Sequence, residues 1–213
     1  RSLWEERFKS SSILNRILFS FVTFIESFSM FMSDHLITIN EVLKEELSQR
    51  LLLKKKKIAV VGNAIDLDRV RLIDVKREDM VFGYVGTLSP IEGLNLLIEA
   101  FNNLKSEGFQ NKVLIFGDGI QIKKLKSQAE GNSLIEFKGR FLPKDIADVY
   151  SQIDVVINPR KKSFLTNSVT PLKPLEAMAY KKLVLVSDVG GMKELVENGE
   201  TGLIFKSDSV KEI

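Results

Sequence analysis

The segment 157–191 holds the residues whose types and spacing best suit chemistry. It has the pattern of a buried strand end, a polar loop, a helix opened by Pro171 or Pro174, and a second buried strand. Arg160 and Lys173 lie close in sequence to the start of that helix, where unpaired backbone N–H groups and the positive end of the helix dipole attract anions. The pattern therefore predicts an anion site, with phosphate as the expected ligand.

Glu176 follows Lys173 by one turn of the same predicted helix. The spacing puts Lys173, Glu176 and Tyr180 along one flank, beside an apolar face that packs on the sheet. A carboxylate at this place could accept hydrogen bonds from two sugar hydroxyls. The same spacing also fits an ordinary Lys–Glu helix pair worth about 0.2–0.5 kcal/mol, and spacing alone leaves both interpretations open.

Composition limits the class of protein. The 213 residues are 44% hydrophobic, enough for one complete domain or one domain plus part of another. The net charge of +3 is small, and the basic residues are scattered apart from the run 54–57, so nucleic acid is not an expected partner. The absence of cysteine excludes disulfides and thiolate metal sites, and the single histidine, His35, is predicted to be structural.

An amphipathic helix is predicted over residues 14–32, where apolar residues recur at spacings of three and four. Asn15, Arg16 and Glu26 interrupt the apolar run that a membrane span would need. The polar face carries mostly Ser and Thr rather than the basic residues of a membrane-surface helix. We therefore expect this helix to pack in a protein core.

Strands and helices alternate along the rest of the chain. The predicted strands, most of them short apolar runs, cover 35–39, 58–61, 81–85, 112–116, 134–137, 155–158, 183–187 and 203–205. One predicted helix is opened by the N-cap candidate Asn40 and runs to about Leu53, and the others cover 92–105, 121–129, 144–151, the central segment from Pro171, and 192–197. From Met80 onward this alternation predicts an α/β fold, a Rossmann-like parallel sheet covered by helices on both faces.

In such a sheet, ligands bind beyond the carboxyl ends of the strands. The loops expected there are 86–92, 117–119, 139–140, 158–170 and 187–191. The first loop, GTLSPIEG, lacks the G-x-G-x-x-G fingerprint of dinucleotide-binding proteins, which disfavours a dehydrogenase. The phosphate-binding motif of nucleotide-hydrolysing switches is also absent from the sequence.

Several segments together resemble one enzyme family. They are FGYVGTLSPIEGLNLLIEAF, VLIFGDG, IEFKGR, DVVINP and PLEAMAYKKLVLVSDVGGMKELVENGETGLIF. This series resembles the C-terminal, donor-binding domain of the group 1 (family 4) retaining glycosyltransferases of the GT-B fold. Upstream, SDHLITINEVLKEEL and VVGNAID resemble the end of that family's N-terminal acceptor domain, and RSLWEE resembles an earlier part of it.

The resemblance implies a division of the chain into domains. Residues 1–66 would be the C-terminal part of the acceptor domain, 67–79 a linker, and 80–213 the donor-binding domain, truncated at its C-terminus. The chain begins with Arg1 rather than Met, and a helix-start signal at Ser207 and Asp208 stops at Ile213. We therefore expect a piece of a longer protein that transfers no sugar by itself.

The resemblance also implies a reaction and its site. The enzyme would transfer a sugar from a nucleotide-sugar donor to a glycan or lipid-linked acceptor, with retention of anomeric configuration and without a metal or other cofactor. Arg160, Lys173 and Ser168 would be the catalytic positions. Donor-binding residues would be Gly86, Thr87, Gly117, Gly139, Thr170, Leu172, Leu175 and Glu176.

The sequence departs from the family pattern at three positions. The family has two glutamates eight residues apart; Glu176 matches the second, which holds the ribose, but Ser168 stands in place of the first. Thr87 and Glu92 replace the family's two diphosphate-binding basic residues. Because a carboxylate would repel a diphosphate, we expect Glu92 to turn away or to pair with a cation, and Lys173 is the expected partner.

A VTPLKPLEAMA motif resembles a subgroup that acts on bacterial surface and exported polysaccharides, in which a lysine lies within the PLKP segment. The expected location is the cytoplasm, including the inner face of the membrane, with any peripheral membrane contact made through the N-terminal domain. The alternative function is a sugar-nucleotide-binding module that has lost transfer chemistry, which Ser168 and Glu92 would explain.

Overall fold

The computed structural model describes residues 13–213, so the RSLWEE segment lies outside the described residues. The chain divides into two compact units. Of the described residues, the first unit contains 13–63 together with Ser163–Thr170, and the second contains Ala64–Lys162 and Pro171–Ile213. The domains predicted from the sequence (1–66, a linker over 67–79, and 80–213) stay a prediction, and these compact units instead divide the chain after Asn63 and assign Ser163–Thr170 to the first unit.

The first unit is built on two short parallel strands, β1 (Leu36–Thr38) and β2 (Ile58–Val60). Its helices are α1 (Ile13–Met32), α2 (Glu41–Ser48) and α6 (Phe164–Ser168), with a 3-10 turn at Leu51–Leu53. Asn40 caps α2 as predicted, because its Oδ1 accepts a hydrogen bond from the Leu43 N–H at 2.7 Å. The Asn40 Nδ2 also donates to the Ser168 carbonyl at 3.0 Å and to the Thr170 hydroxyl at 2.8 Å, which attaches the segment Ser163–Thr170 to this unit.

Helix α1 does not pack as expected. Only Ser27 is buried along its length, and Phe21 and Phe24 are 59% and 58% exposed. Its contacts in this unit include the 3-10 turn Leu51–Leu53 and an ion pair of 2.9 Å between Glu26 and Arg50. By length and composition α1 is also apolar enough to cross a membrane. Core helices of soluble proteins and signal sequences can have the same length and composition. The prediction of core packing is therefore wrong for the part of the chain that the structure describes.

The second unit is a six-stranded, wholly parallel sheet covered by helices. The strands are β3 (Phe82–Val85), β4 (Val113–Phe116), β5 (Ile135–Gly139), β6 (Val155–Asn158), β7 (Leu183–Ser187) and β8 (Leu203–Phe205). The helices are α3 (Leu94–Ser106), α4 (Ile122–Gln128), α5 (Ile146–Ser151), α7 (Lys173–Ala179) and α8 (Gly190–Lys193), with 3-10 turns at Leu67–Arg69, Pro90–Glu92, Pro143–Asp145 and Val210–Glu212.

The strand order is β5-β4-β3-β6-β7-β8, so the chain moves outward from β3 in one direction and then outward from β6 in the other. Alternating side chains of these strands point to opposite faces, which produces two hydrophobic cores. Val156 packs with Ala177 of α7 in one core, and Ile157 packs with Leu97 of α3 in the other. The predicted Rossmann-like parallel sheet is confirmed.

Element boundaries shift where local geometry overrides the hydrophobic pattern. The helix predicted to begin at Glu92 begins at Leu94, because Gly93 adopts a left-handed conformation with φ of 71° and separates a 3-10 turn from the helix. The helix predicted over 144–151 likewise divides into a 3-10 turn and α5, and the one predicted over 192–197 begins at Gly190 and ends at Lys193.

Candidate functional site

The carboxyl ends of β3 and β6 form the place where the strand order reverses. Parallel sheets of this kind bind ligands in the crevice outside such a switch point. The loop after β3 begins with Gly86 and Thr87, and the segment after β6 continues from Asn158 to Arg160. The two segments are in contact, because the Lys161 N–H donates to the Ile91 carbonyl at 3.0 Å.

Three charged side chains meet in this crevice. The Lys173 ammonium lies 2.8 Å from Glu92 Oε2, and the Arg160 Nε lies 3.7 Å from the same oxygen. The Glu92 and Arg160 side chains are both 8% exposed, whereas Lys173 is 22% exposed. The expected pairing of Glu92 with Lys173 is therefore confirmed, and the cluster carries two positive charges and one negative.

Tyr84 completes this cluster from β3. Its hydroxyl accepts a hydrogen bond from the Lys173 ammonium at 2.7 Å and donates to the Thr87 carbonyl at 2.9 Å. Burial raises the pKa of Tyr84, and the nearby Glu92 carboxylate raises it further. Burial also lowers the pKa of Lys173, and the Glu92 carboxylate opposes that effect.

Glycines allow the loops to approach one another closely. A Cβ at Gly117 would lie 1.9 Å from the Gly86 carbonyl oxygen, and the Gly117 N–H donates to the Gly139 carbonyl at 2.7 Å. The predicted positions Gly86, Gly117 and Gly139 therefore lie at adjoining ends of β3, β4 and β5. Beside them, Arg140 forms an exposed ion pair of 2.9 Å with Asp118.

Glu176 lies one turn after Lys173 on α7 and has a partner that the sequence did not indicate. The Tyr150 hydroxyl donates to Glu176 Oε2 at 2.9 Å, and the Tyr150 ring stacks on Tyr180 with centroids 4.7 Å apart. Burial, and then the neighbouring carboxylate, raise the pKa of Tyr150, so this hydroxyl remains a donor. Glu176 itself is half-buried and has further acceptor capacity on its carboxylate.

The remaining predicted positions differ in accessibility. Ser168 is fully buried in the first unit, where its hydroxyl donates to the Phe164 carbonyl at 2.9 Å, and Thr170 is buried in the same unit. Thr87 is exposed, Leu172 is 51% exposed, and Leu175 is half-buried. The structure therefore joins Gly86, Thr87, Arg160 and Lys173 in one cluster of the second unit, and the ligand roles of all these residues stay predictions.

Sequence reasoning missed Tyr84, Tyr150 and Asn158. The two tyrosines lie among apolar residues that indicate a buried strand and a buried helix face, so periodicity alone makes them core residues. Asn158 ends β6 with its side-chain amide buried and without a hydrogen-bond partner among the described residues. A polar residue at the carboxyl end of a central strand was the available signal, because this is where parallel sheets bind ligands.

Within residues 13–213, no group of three or more His, Cys, Asp or Glu side chains is placed to hold a metal ion. The positive charge of the crevice comes instead from Arg160 and Lys173. The expectation that the chemistry needs no metal stays a prediction.

Comparison with known proteins adds independent information. The chain is 28% identical over 205 residues to the capsular polysaccharide biosynthesis glycosyltransferase CapM of Staphylococcus aureus. The matched region covers 89% of this chain and 52% of CapM. The chain thus spans about half the length of the curated relatives it matches.

Solved structures share the fold. Sucrose-phosphate synthase from Thermosynechococcus elongatus superposes with a TM-score of 0.74 at 19% identity, covering 99% of this chain and 54% of that one. Anabaena HepE, solved in complex with UDP, superposes with a TM-score of 0.66 at 18% identity, covering 84% of this chain and 52% of that one. These likenesses establish a Rossmann-like domain of the GT-B fold.

A family model for glycosyl transferases group 1 matches residues 79–213. This range is more than half of the 213-residue chain and contains the whole sheet from β3 to β8, with Lys173, Glu176 and the Gly86 loop. The chain therefore belongs to the group 1 glycosyl transferases.

Proposed function

We propose that this chain contributes the donor-binding part of a retaining glycosyltransferase that takes its sugar from a nucleotide-sugar. The acceptor would be a glycan or lipid-linked sugar used in the synthesis of a surface or exported polysaccharide, in the cytoplasm or at the inner face of the membrane. The VTPLKPLEAMA motif supports this acceptor class, and so does the likeness to CapM, whose name refers to capsular polysaccharide.

The observation that carries the proposal is the cluster of Lys173, Glu92 and Arg160 at the switch point of the sheet. It carries a net positive charge where a nucleotide diphosphate would lie, and that group gains negative charge as the sugar bond breaks. Charge-assisted hydrogen bonds from this cluster would stabilise the departing diphosphate. The HepE structure, which contains UDP, supports a nucleotide as the ligand of this domain.

Glu176 would bind the ribose. Its Oε2 is held by the Tyr150 hydroxyl, and its remaining lone pairs can accept from sugar hydroxyls. Ser168 is buried with its hydroxyl bonded to Phe164, so we assign it no direct part in chemistry. In this mechanism the bond from the sugar to the diphosphate breaks as the acceptor oxygen bonds to the sugar, and the protein cations stabilise the departing diphosphate. An oxygen of that diphosphate takes the proton of the acceptor hydroxyl, so no protein base is needed.

The alternative is a binding module without transfer activity, and Ser168 and Glu92 at two family positions favour it. The deciding experiment uses a protein as long as the relatives, which also contains the acceptor domain. It is incubated with a lipid-linked acceptor and with a UDP-sugar or a GDP-sugar that carries a label on the sugar. Label appearing in the acceptor with retained anomeric configuration supports the transferase. Binding of the nucleotide-sugar without transfer supports the module, and transfer with inversion contradicts the retaining mechanism. The 213-residue chain alone should bind the nucleotide and transfer nothing.

A further inference from the structure

The cluster in the crevice is arranged around one carboxylate. Glu92 Oε2 lies 2.8 Å from the Lys173 Nζ and 3.7 Å from the Arg160 Nε. A buried carboxylate between two cations neutralises one of them and reduces the repulsion between the two. One positive charge remains for a ligand, and the exposure of the side chains decides which residue presents it.

Among these three groups, Lys173 is the most accessible. Its side chain is 22% exposed, whereas those of Glu92 and Arg160 are 8% exposed. The Arg160 backbone is held as well, because its carbonyl accepts a hydrogen bond from the Ser187 hydroxyl at 2.7 Å. Lys173 is therefore the cation of this cluster that is best placed to touch a ligand.

The path of the Lys173 side chain depends on Gly86. A Cβ at Gly86 would lie 2.4 Å from the Lys173 Cε and 2.9 Å from its Nζ, so the lysine passes directly over the first loop. Tyr84 fixes the end of this path, with its hydroxyl 2.7 Å from the ammonium and its ring centroid 4.9 Å away. The ammonium is thereby held at the loop Gly86–Thr87 although the lysine belongs to α7.

We infer that Lys173 is the residue that contacts the diphosphate of the donor, and that Glu92, Tyr84 and Gly86 are positioning residues for its ammonium. This inference rests on the proposed function and assigns to a residue of α7 the cation that neutralises the diphosphate at the loop Gly86–Thr87. The inference accounts for two features of the first loop: the carboxylate of Glu92, which pairs with the ammonium, and Gly86, which leaves room for the lysine side chain.

The first test removes the charge and keeps most of the side-chain stem. Calorimetry on the 213-residue chain would compare Lys173→Met with the unmodified chain, with UDP and GDP as diphosphate probes and uridine and guanosine as probes without phosphate. Loss of a charge-assisted hydrogen bond should weaken binding of the diphosphate about ten- to a hundredfold and leave binding of the nucleoside unchanged. Lys124→Met, at an exposed position of α4, is the matched control and should change neither.

The second test addresses positioning. Among the residues that the structure describes, the charged and titratable groups that face Lys173 are Glu92, Arg160 and Tyr84, from three different segments. In Glu92→Gln the carboxylate that favours the ammonium is lost while Arg160 stays, so the pKa of Lys173 falls. Since only the ammonium binds the diphosphate in this way, UDP affinity should begin to decline at a lower pH than in the unmodified chain. Tyr84→Phe keeps the ring and should weaken UDP about two- to tenfold without affecting uridine.

The outcomes separate this inference from the function on which it rests. If the unmodified chain binds neither UDP nor GDP, the proposed function is overturned together with the inference. If the chain binds UDP or GDP but Lys173→Met binds it equally well, or weakens the nucleoside as much as the diphosphate, only the inference is overturned. An unchanged pH profile in a folded Glu92→Gln variant would overturn the positioning role of Glu92.

Discussion

Glu176 offers the sharpest test of ribose binding, because the structure shows that its carboxylate has two separable tasks. Oε2 accepts a hydrogen bond from the buried Tyr150 hydroxyl at 2.9 Å, and the remaining lone pairs are available to a ligand. A substitution to alanine removes both tasks at once. Glu176→Gln keeps one oxygen for Tyr150 and replaces the other acceptor by an amide donor.

The two variants should therefore differ in stability and agree in binding. Glu176→Ala leaves the Tyr150 hydroxyl buried without an acceptor, which should lower the free energy of unfolding by about 1–3 kcal/mol. Glu176→Gln should lower it by less, because its side-chain carbonyl can still accept from Tyr150. Both should weaken UDP or GDP binding, since losing a hydrogen bond to a charged group costs about 1.5–3 kcal/mol, roughly ten- to a hundredfold in affinity.

The assay combines urea unfolding with calorimetric titration of the nucleotide. Glu197→Ala and Glu200→Ala, both at exposed positions, are the matched controls and should change neither quantity. Tyr150→Phe is a further control, because it removes the donor to Oε2 and leaves the carboxylate available. Nucleotide binding by Glu176→Gln at the level of the two exposed controls would refute the ribose role, and equal stability of the Ala and Gln variants would refute the reasoning about Tyr150.

Two further predictions concern the fold. Gly108→Ala should lower the free energy of unfolding by about 1–2 kcal/mol, because φ is 90° while the space around the new methyl group is open. Gly93→Ala should lower it by about 1–3 kcal/mol more, because its Cβ would lie 1.8 Å from the Pro159 carbonyl oxygen. Denaturant unfolding measures both losses. Equal losses for the two variants would contradict the close approach of these segments. Hydrogen bonds from Lys112 and then from Lys138 lower the pKa of Glu136 below its ordinary value of 4.5, so their contribution to stability is present at neutral pH and is lost as the pH falls through the lowered pKa. Glu136→Gln should therefore flatten the pH dependence of the unfolding free energy below about pH 4.5, and an unchanged acid limb would contradict this assignment.

Much of the second unit follows from the order of residues alone. Apolar runs at regular spacing predict its strands, and β6, β7 and β8 have the predicted bounds, because strands of a parallel sheet covered by helices have a mostly apolar sequence. The Asn40 cap follows in the same way, since a short polar side chain before a helical pattern satisfies a backbone N–H locally. The pairing of Glu92 with Lys173 was also predictable, because a carboxylate near an anion site needs a cation.

Contacts between residues distant in sequence were decided only by the tertiary structure. Tyr84 and Tyr150 have the pattern of core residues, and their roles depend on which ionised side chain the fold places against each hydroxyl. The amphipathic pattern of α1 indicates an apolar face without indicating what covers it, and the described chain leaves that face exposed. Arg160 is adjacent in sequence to the anion site, yet packing around Glu92 buries its side chain. Periodicity and local propensity determine which elements form, whereas burial and the partners of polar groups depend on how those elements pack.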